Sequence, residues 1–575
     1  MSKPDRGPVY RILVLSLLGV GVGTAASLAA IGFVEALHWL NDRLLVSPYA
    51  RIQYETRPLL VTAATVLVPT AGGLLVGLLV RYGVRERRGL APPDTIYAVQ
   101  TRSQPPSLRS GVASTGAALL SLGAGASVGQ YGPLVHMGSM LGALASRLEL
   151  GVRNLQPIAL ACGVAAAIST AFNAPIAGLV FAHEVILRHY SLRAFAPVTV
   201  GSATGYVFAN VIFERPALFL VSFDGVAHSY EFVLFAVEGL LSALLAVGFM
   251  AAILWASRQA RRLPVPQPVK PMGAGLALGL LALAVPEVLG IGQETLRFAT
   301  IEGAFRVDEL ALLVVAKLAA TVLCVALGFV GGVFSPALLI GILFGALCGS
   351  LVPLLVPFEH SHVVVYAICG MMAVTSPVIG APLTTILIVF ELTRNYDLTI
   401  AAMVAVVFSN LLAYRLFGRS LFDAQLRALG FDLSLGRDKA ILEKRPVADY
   451  AVTDAPVLRP QATVDDLLRT LAHADRAEAS LVDAAGHYRG TVGLQNVTKA
   501  DGATPLHRLA GKSALLFDRT TSIWAAMQAL PGYVGEAVPL LDGDGRFLGV
   551  VPEEAVIRAY LDATNDLRLE ENEAA

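Results

Sequence analysis

Gly129-Gln130-Tyr131-Gly132-Pro133-Leu134-Val135-His136-Met137-Gly138 breaks an apolar region with glycines, polar groups and a proline, and the apolar run resumes at Ser139. The pattern reads as a broken helix that restarts inside a membrane. Pro133 suits the first turn of a helix, where its missing N–H is no loss, and Gly129 and Gly132 let the preceding backbone bend and approach a ligand closely. A helix N-terminus offers unpaired N–H groups and about half a positive charge, so one buried at membrane depth suits an anion. The competing reading is a kinked membrane helix.

The spacing recurs downstream, which favours the first reading. Gly129, Pro133, Gly138 and Gly142 are matched in interval by Gly332, Pro336, Gly341 and Gly345, and Gln130-Tyr131-Gly132 is answered by Val333-Phe334-Ser335. In the same order, Ala174-Pro175 leads to Glu184 as Ala381-Pro382 leads to Glu391. Two copies of one unit, at about 57–215 and 268–430, are implied. Broken apolar segments at matching places in two repeats point to a transporter's binding site where the copies meet.

Composition sets the class. Of 575 residues 55% are hydrophobic and 15% charged, and the mean hydropathy is +0.65, which describes a polytopic membrane protein rather than a soluble one. Net charge is zero, so no global electrostatic argument for nucleic acid arises. Cys162, Cys324, Cys348 and Cys369 lack metal-ligand spacing and are expected as buried free thiols. The first apolar run, within 9–44, is too long for a cleaved leader and is expected to cross the bilayer, as is 57–81. Arg81, Arg85, Arg87 and Arg88 follow the second run, and Arg258, Arg261, Arg262 and Lys270 mark a later loop. Positive-inside asymmetry places both loops, and with them the N-terminus, in the cytoplasm. Between 93 and 213, and again from 268 to 430, the apolar pieces are short and broken, so discontinuous helices in the bundle interior are expected.

After about residue 440 charged residues become frequent and a soluble α/β domain begins. Asp483, Gly486 and Gly490 share their spacing with Asp542, Gly545 and Gly549, and each set leads into an apolar strand. Two β-α-β units are implied, the helices falling at Thr463 to His473 and Ser522 to Leu530. The acidic end, 568–575, reads as a frayed tail.

These residues resemble the CLC chloride channels and chloride/proton antiporters. Gly332-Val333-Phe334-Ser335-Pro336 is similar to the family's GxFxP motif, Phe172-Asn173-Ala174-Pro175-Ile176-Ala177-Gly178 to its FNAPLAG segment, and Phe390-Glu391-Leu392-Thr393 to its FELT segment. The C-terminal units resemble a tandem CBS pair. The resemblance implies an all-α polytopic membrane domain of inverted repeats over 1–435, a small cytoplasmic α/β CBS domain over 443–567, and a homodimer with one anion pathway per subunit. It also implies a multi-pass protein of the cell (inner) membrane with both termini cytoplasmic, carrying chloride or another small anion.

The departures from the family are as informative. Where relatives write GREGP, with the glutamate as gate and proton carrier, this chain has Gly129-Gln130-Tyr131-Gly132-Pro133. A glutamate ionises near pH about 4.3 and can be tuned towards neutrality, whereas a tyrosine, near about 10, is a poor proton shuttle. Tyr131, at the gate position, either plugs the path or donates its O–H to an anion. The internal glutamate of the antiporters is Val185 here, while its neighbour Glu184 remains, with His183 beside it. Glu184 and Glu391 each need a reason to lie in a membrane. Bonding backbone groups at a helix end suits their symmetric placement better than a proton relay does.

The family's two anion-holding hydroxyls align with Leu90 and Phe422, with Thr95, Tyr97 or Ser420 as substitutes in another register. The anion site then rests on Gln130, Tyr131 and Gly132 from one copy and Gly332, Val333 and Phe334 from the other, with weak binding and modest selectivity expected. In the CBS pair the ribose-holding positions read Gly493 with Asn496, and Pro552 with Ala555. That argues against adenine nucleotides and for a dimerising or interaction role. No nucleophile-base pair, metal-ligand spacing or phosphate loop is present, and His136 reads as a packed or pore-lining side chain, so neither an enzyme nor a cofactor is expected. The leading expectation is anion conduction, as a channel or uniporter, without tight proton coupling. Coupled exchange through Glu184 and His183, and a degenerate anion-binding scaffold with CBS sensing, are the alternatives.

Overall fold

The computed structural model describes residues 8–54, 56–101, 103–148, 155–214, 225–433, 436–474 and 476–572. The chain divides between Phe431 and Asp432 into two units. The first is a helical membrane domain. Among the described residues, eight helices are long and apolar enough to cross a bilayer, including Pro58–Gly83 and Glu231–Arg262. Shorter pieces lie between them, and local chemistry sets where they start. Pro175 and Pro382 open the helices Pro175–Phe181 and Pro382–Thr393, and Ser107, Asn395 and Ser420 cap Leu108–Gly123, Tyr396–Phe417 and Leu421–Ala428 with side-chain oxygens.

The two copies fold alike. Tyr131–Ala145 followed by Leu155–Phe172 in the first copy corresponds to Phe334–Leu355 followed by Val363–Ile379 in the second. Here the outer glycines of the shared frame take a different role from the one the sequence suggests. A Cβ on Gly138 would strike the carbonyl of Gly163, and one on Gly341 would lie 2.7 Å from the carbonyl of Gly370. Both glycines, with Gly142 and Gly345 one turn on, let two helix backbones touch. They set packing between helices, while Gly129 and Gly332 lie at the junction of the copies. Cys162, Cys324 and Cys369 are buried, Cys348 is half-buried, and all four thiols are free.

The second unit is α/β, built twice on one plan. β1 (Val457–Leu458), β2 (Glu478–Val482) and β3 (Tyr488–Gly493) form one sheet, and β4 (Phe517–Asp518), β5 (Ala537–Leu541) and β6 (Phe547–Pro552) form the other. In each the first pair is parallel, across a helix, and the second is an antiparallel hairpin. The hairpin turns join the copies, since Tyr488 N–H donates to Gly545 O and Phe547 N–H to Gly486 O. The last helix, Glu553–Asn572, continues through most of the acidic end that the sequence suggests is frayed. Leu, Arg and Glu are strong helix formers, and no glycine or proline interrupts the run.

Asp483 fixes the first hairpin turn. Its Oδ1 accepts from the N–H groups of His487 and Ala485, and its Oδ2 from the Arg489 guanidinium. The His487 N–H first, and then Arg489, lower its pKa to about 2. A carboxyl whose folded value is depressed contributes stability above its unfolded value of about 3.9 and loses it as pH falls through the folded one. Resistance of the C-terminal unit of the full chain to pepsin should therefore fall between pH about 4 and about 2. Asp483→Asn should remove that part of the pH dependence.

Candidate functional site

Gly129 and Gly332 face each other across the junction of the two copies. Gly129 N–H donates to Gly332 O at 2.6 Å and Gly332 N–H to Gly129 O at 2.7 Å, a two-residue antiparallel bridge. From it the chain enters the helix Tyr131–Ala145 on one side and Phe334–Leu355 on the other. Gln130 N–H donates to Ser335 Oγ at 3.3 Å, a further bond between the copies. Side chains would not fit here. A Cβ on Gly132 would lie 2.8 Å from Gly332 Cα, and one on Gly332 would lie 2.8 Å from Gly132 N.

The first N–H groups of a helix have no partner within it. Pro133 and Pro336, each in a first turn, contribute none. The two helix ends therefore offer the N–H groups of Tyr131 and Gly132, and of Phe334 and Ser335, from adjoining backbone. Unpaired N–H groups in a low-dielectric interior are costly, and together with the helix dipoles they form a seat for negative charge.

Tyr131 closes one side of this seat. Its ring stacks on Phe172 at 4.0 Å and leans on Phe334 at 5.1 Å, with Phe172 and Phe334 5.3 Å apart. The tyrosine is buried. A cavity of about 420 Å³ reaches it, lined also by Gln130, Ser335, His38 and Arg297. The backbone seat, the Tyr131 ring and a cavity of mixed polar and apolar lining thus adjoin one another.

Leu90 and Phe422 are both buried. Leu90 precedes the helix Pro92–Thr101, and its N–H donates to Ser114 Oγ at 2.9 Å. Phe422 lies in the first turn of Leu421–Ala428. Tyr97 meets Phe431 edge-on at 5.5 Å, joining the Pro92–Thr101 helix to the end of this unit. Of the three hydroxyls offered as substitutes, two are engaged, Thr95 with Ser139 at 2.9 Å and Ser420 with Asp423 at 2.9 Å.

Glu184 and Glu391 exchange caps. Glu184 accepts from the N–H groups of Leu383 and Thr384 and from Thr384 Oγ1, at 2.7 to 3.0 Å. Glu391 accepts from the N–H groups of Ile176 and Ala177, at 2.8 and 2.7 Å. Each carboxylate satisfies the start of the other copy's helix. Val185 is buried beside Glu184, and His183 holds the carbonyl of His189 through Nδ1 at 2.9 Å. His136, buried farther along its helix, lies against Gly111.

Some residues of the region escape sequence reasoning. Lys317, buried in Val307–Ala326, donates through Nζ to the carbonyls of Val288 and Gly290 at 2.9 and 2.8 Å. It fixes the backbone leading to Ile291 and Gln293, which line the cavity. A lone lysine in a 20-residue apolar helix is the available signal.

The model of the family described as voltage gated chloride channel matches residues 72–414. A putative chloride channel protein ClcB-like of Ralstonia nicotianae (strain ATCC BAA-1114 / GMI1000) is 31% identical over 401 residues, spanning 68% of this chain and 92% of the relative. The H(+)/Cl(-) exchange transporter ClcA of Salmonella arizonae (strain ATCC BAA-731 / CDC346-86 / RSK2980) is 27% identical, over 72% of this chain and 88% of its own. The crystal structure of a eukaryotic CLC transporter superposes with a TM-score of 0.65 at 19% identity, covering 95% of this chain and 98% of that one. That likeness concerns the fold.

Overpacking the junction tests it. Gly332→Ala should lower chloride efflux from proteoliposomes roughly tenfold or more, since forced overpacking costs about 1–3 kcal/mol. Gly248→Ala, where an added Cβ meets nothing within 4 Å, should leave efflux unchanged.

Proposed function

The chain belongs to the voltage-gated chloride channel family, and we propose that this member carries chloride or a similar anion passively, as a channel or uniporter, without tight proton coupling. Anion transport is the activity of its family. The observation that carries the finer reading is Tyr131, stacked on Phe172 and tilted against Phe334 at the helix end. A phenol there plugs the path and moves with the aromatic stack, but it is not the readily titrated carboxyl that proton exchange uses. The anion is held beside the Gly332 bridge by the N–H groups of Val333 and Phe334 and of Tyr131 and Gly132, with Gln130 at the cavity side. Leu90 and Phe422 line the path apolarly, so the anion keeps fewer direct donors and is held weakly.

Two further features support an uncoupled carrier. Val185 has no titratable group. The oxygens of Glu184 already accept from Leu383 and Thr384, which makes it a helix cap rather than a station for a moving proton.

The protein functions in this reading as a homodimer in the cell (inner) membrane, with both termini cytoplasmic. The C-terminal unit, 443–567, is a CBS pair with a dimerising or interaction role. Asn496, where a nucleotide-binding pair would carry its ribose-holding aspartate, instead accepts the Gly493 N–H of its own helix start at 3.0 Å.

Simultaneous recording of chloride and proton movement from proteoliposomes tests the proposal. Chloride should leave down its gradient with no stoichiometric proton uptake; a fixed chloride-to-proton ratio would overturn it. Tyr131→Ala should raise chloride efflux several-fold, because it removes the closure while keeping the helix end, and a fall in efflux would count against Tyr131 as a plug.

A further inference from the structure

The helix that begins at Pro175 does not end as its counterpart does. One more residue separates Pro175 from Arg188 than separates Pro382 from Arg394, although both arginines are left-handed, with φ of 60° and 52°. The extra residue is absorbed as a π-helical turn, Ala182–Leu187, whereas Pro382–Thr393 stays α-helical. A π-turn is a one-residue insertion that widens the hydrogen-bond ladder and leaves carbonyls for other donors.

Two of those carbonyls are taken by a distant helix and one by the adjoining Arg188. Gln100 Nε2, buried on the Pro92–Thr101 helix, donates to Ile186 O at 2.9 Å and to Leu187 O at 2.8 Å. Arg188 Nε donates to Val185 O at 3.2 Å. Its Nη1 forms an ion pair with Asp423 Oδ1 at 2.9 Å, with 19% and 8% of the two side chains exposed. Asp423 Oδ2 accepts from the Ser420 N–H at 3.3 Å, which closes the capping box that starts Leu421–Ala428, and also from Ser420 Oγ at 2.9 Å. Phe422 lies inside this box, directly before Asp423. One turn thus ties down two helices, the one that follows Leu90 and the one that carries Phe422.

We propose that Arg188 is a positioning residue for the anion path: through Asp423 it holds Phe422 in place and so sets which anions pass. The inference rests on the reading of Phe422 as a lining residue. A shielded ion pair is a suitable device, because losing one partner leaves the other charge uncompensated and drives the helix start to rearrange. The charge that Arg188 brings is matched by Asp423, so its contribution is position rather than attraction of the anion. Asp423→Asn is the informative change, since an amide oxygen keeps the cap on Ser420 while the ion pair is lost.

The test uses the full-length protein in proteoliposomes, comparing efflux of chloride with that of the bulkier gluconate. Asp423→Asn and Arg188→Met should each raise gluconate relative to chloride roughly threefold or more, within the range of coupling between contacting residues. Arg188→Lys, which keeps the charge, should fall close to the unaltered protein. Phe422→Ala should relax selectivity on its own, and adding Asp423→Asn to it should change nothing further. Independent, additive effects would overturn the inference, as would unchanged selectivity in Asp423→Asn beside a relaxed Phe422→Ala. Unchanged selectivity in Phe422→Ala would instead remove the lining role and the inference with it. Should Arg188→Met fail to yield a monodisperse protein, Asp423→Asn in the two backgrounds decides alone.

Discussion

Two helix N-termini brought together by one pair of backbone hydrogen bonds are the constraint on which the membrane domain depends. The bridge between Gly129 and Gly332 joins equivalent points of the two copies. It allows nothing larger than hydrogen on either residue. In the interior of a bilayer-spanning bundle the N–H groups at these ends cannot turn to bulk water, and leaving them bare costs free energy. An anion at these ends would resolve the cost, which is why the proposed reading places it there. Tyr131, Phe172 and Phe334 pack against one another beside these helix ends, and in the proposed reading passage depends on movement of these rings.

A second exchange between the copies keeps the first in register. Glu184 caps the helix that begins at Pro382, and Glu391 caps the helix that begins at Pro175. Each carboxylate satisfies backbone donors that the membrane would otherwise leave unpaired, which is a sufficient reason for two acids to lie there. Beyond these caps the copies differ. The π-turn that carries Glu184 has no counterpart around Glu391, and it is there that Gln100 and Arg188 attach the helices Pro92–Thr101 and Leu421–Ala428. Symmetry pairs the helix ends, and one inserted residue makes the surroundings of Glu184 and Glu391 unlike.

Much of this is legible in the chain because it is written twice. The equal intervals from Gly129 to Gly142 and from Gly332 to Gly345 announce the junction, and the paired Glu184 and Glu391 announce the caps. Spacing alone does not separate roles within that frame, since a glycine that admits a neighbouring helix, such as Gly138, looks the same as one that admits an opposing loop. Arg188, Asp423 and Gln100 are hidden for another reason: their partners are far along the chain, and their residue types are ordinary at helix ends. Lys317 stands out by charge, yet only the fold shows that it holds the carbonyls of Val288 and Gly290. The end of the chain reads as frayed because an acidic run repels itself, while helix propensity and continuity with Glu553 onwards prove the stronger influence.

Crystals of the full-length protein grown in bromide, with anomalous diffraction collected at the bromine edge, test most directly whether the anion sits at the paired helix ends. An anomalous peak is expected within hydrogen-bonding reach of the N–H groups at the starts of Tyr131–Ala145 and Phe334–Leu355, next to the Tyr131 ring. Bromide bound elsewhere in the membrane domain, with none at these helix ends, would contradict that placement.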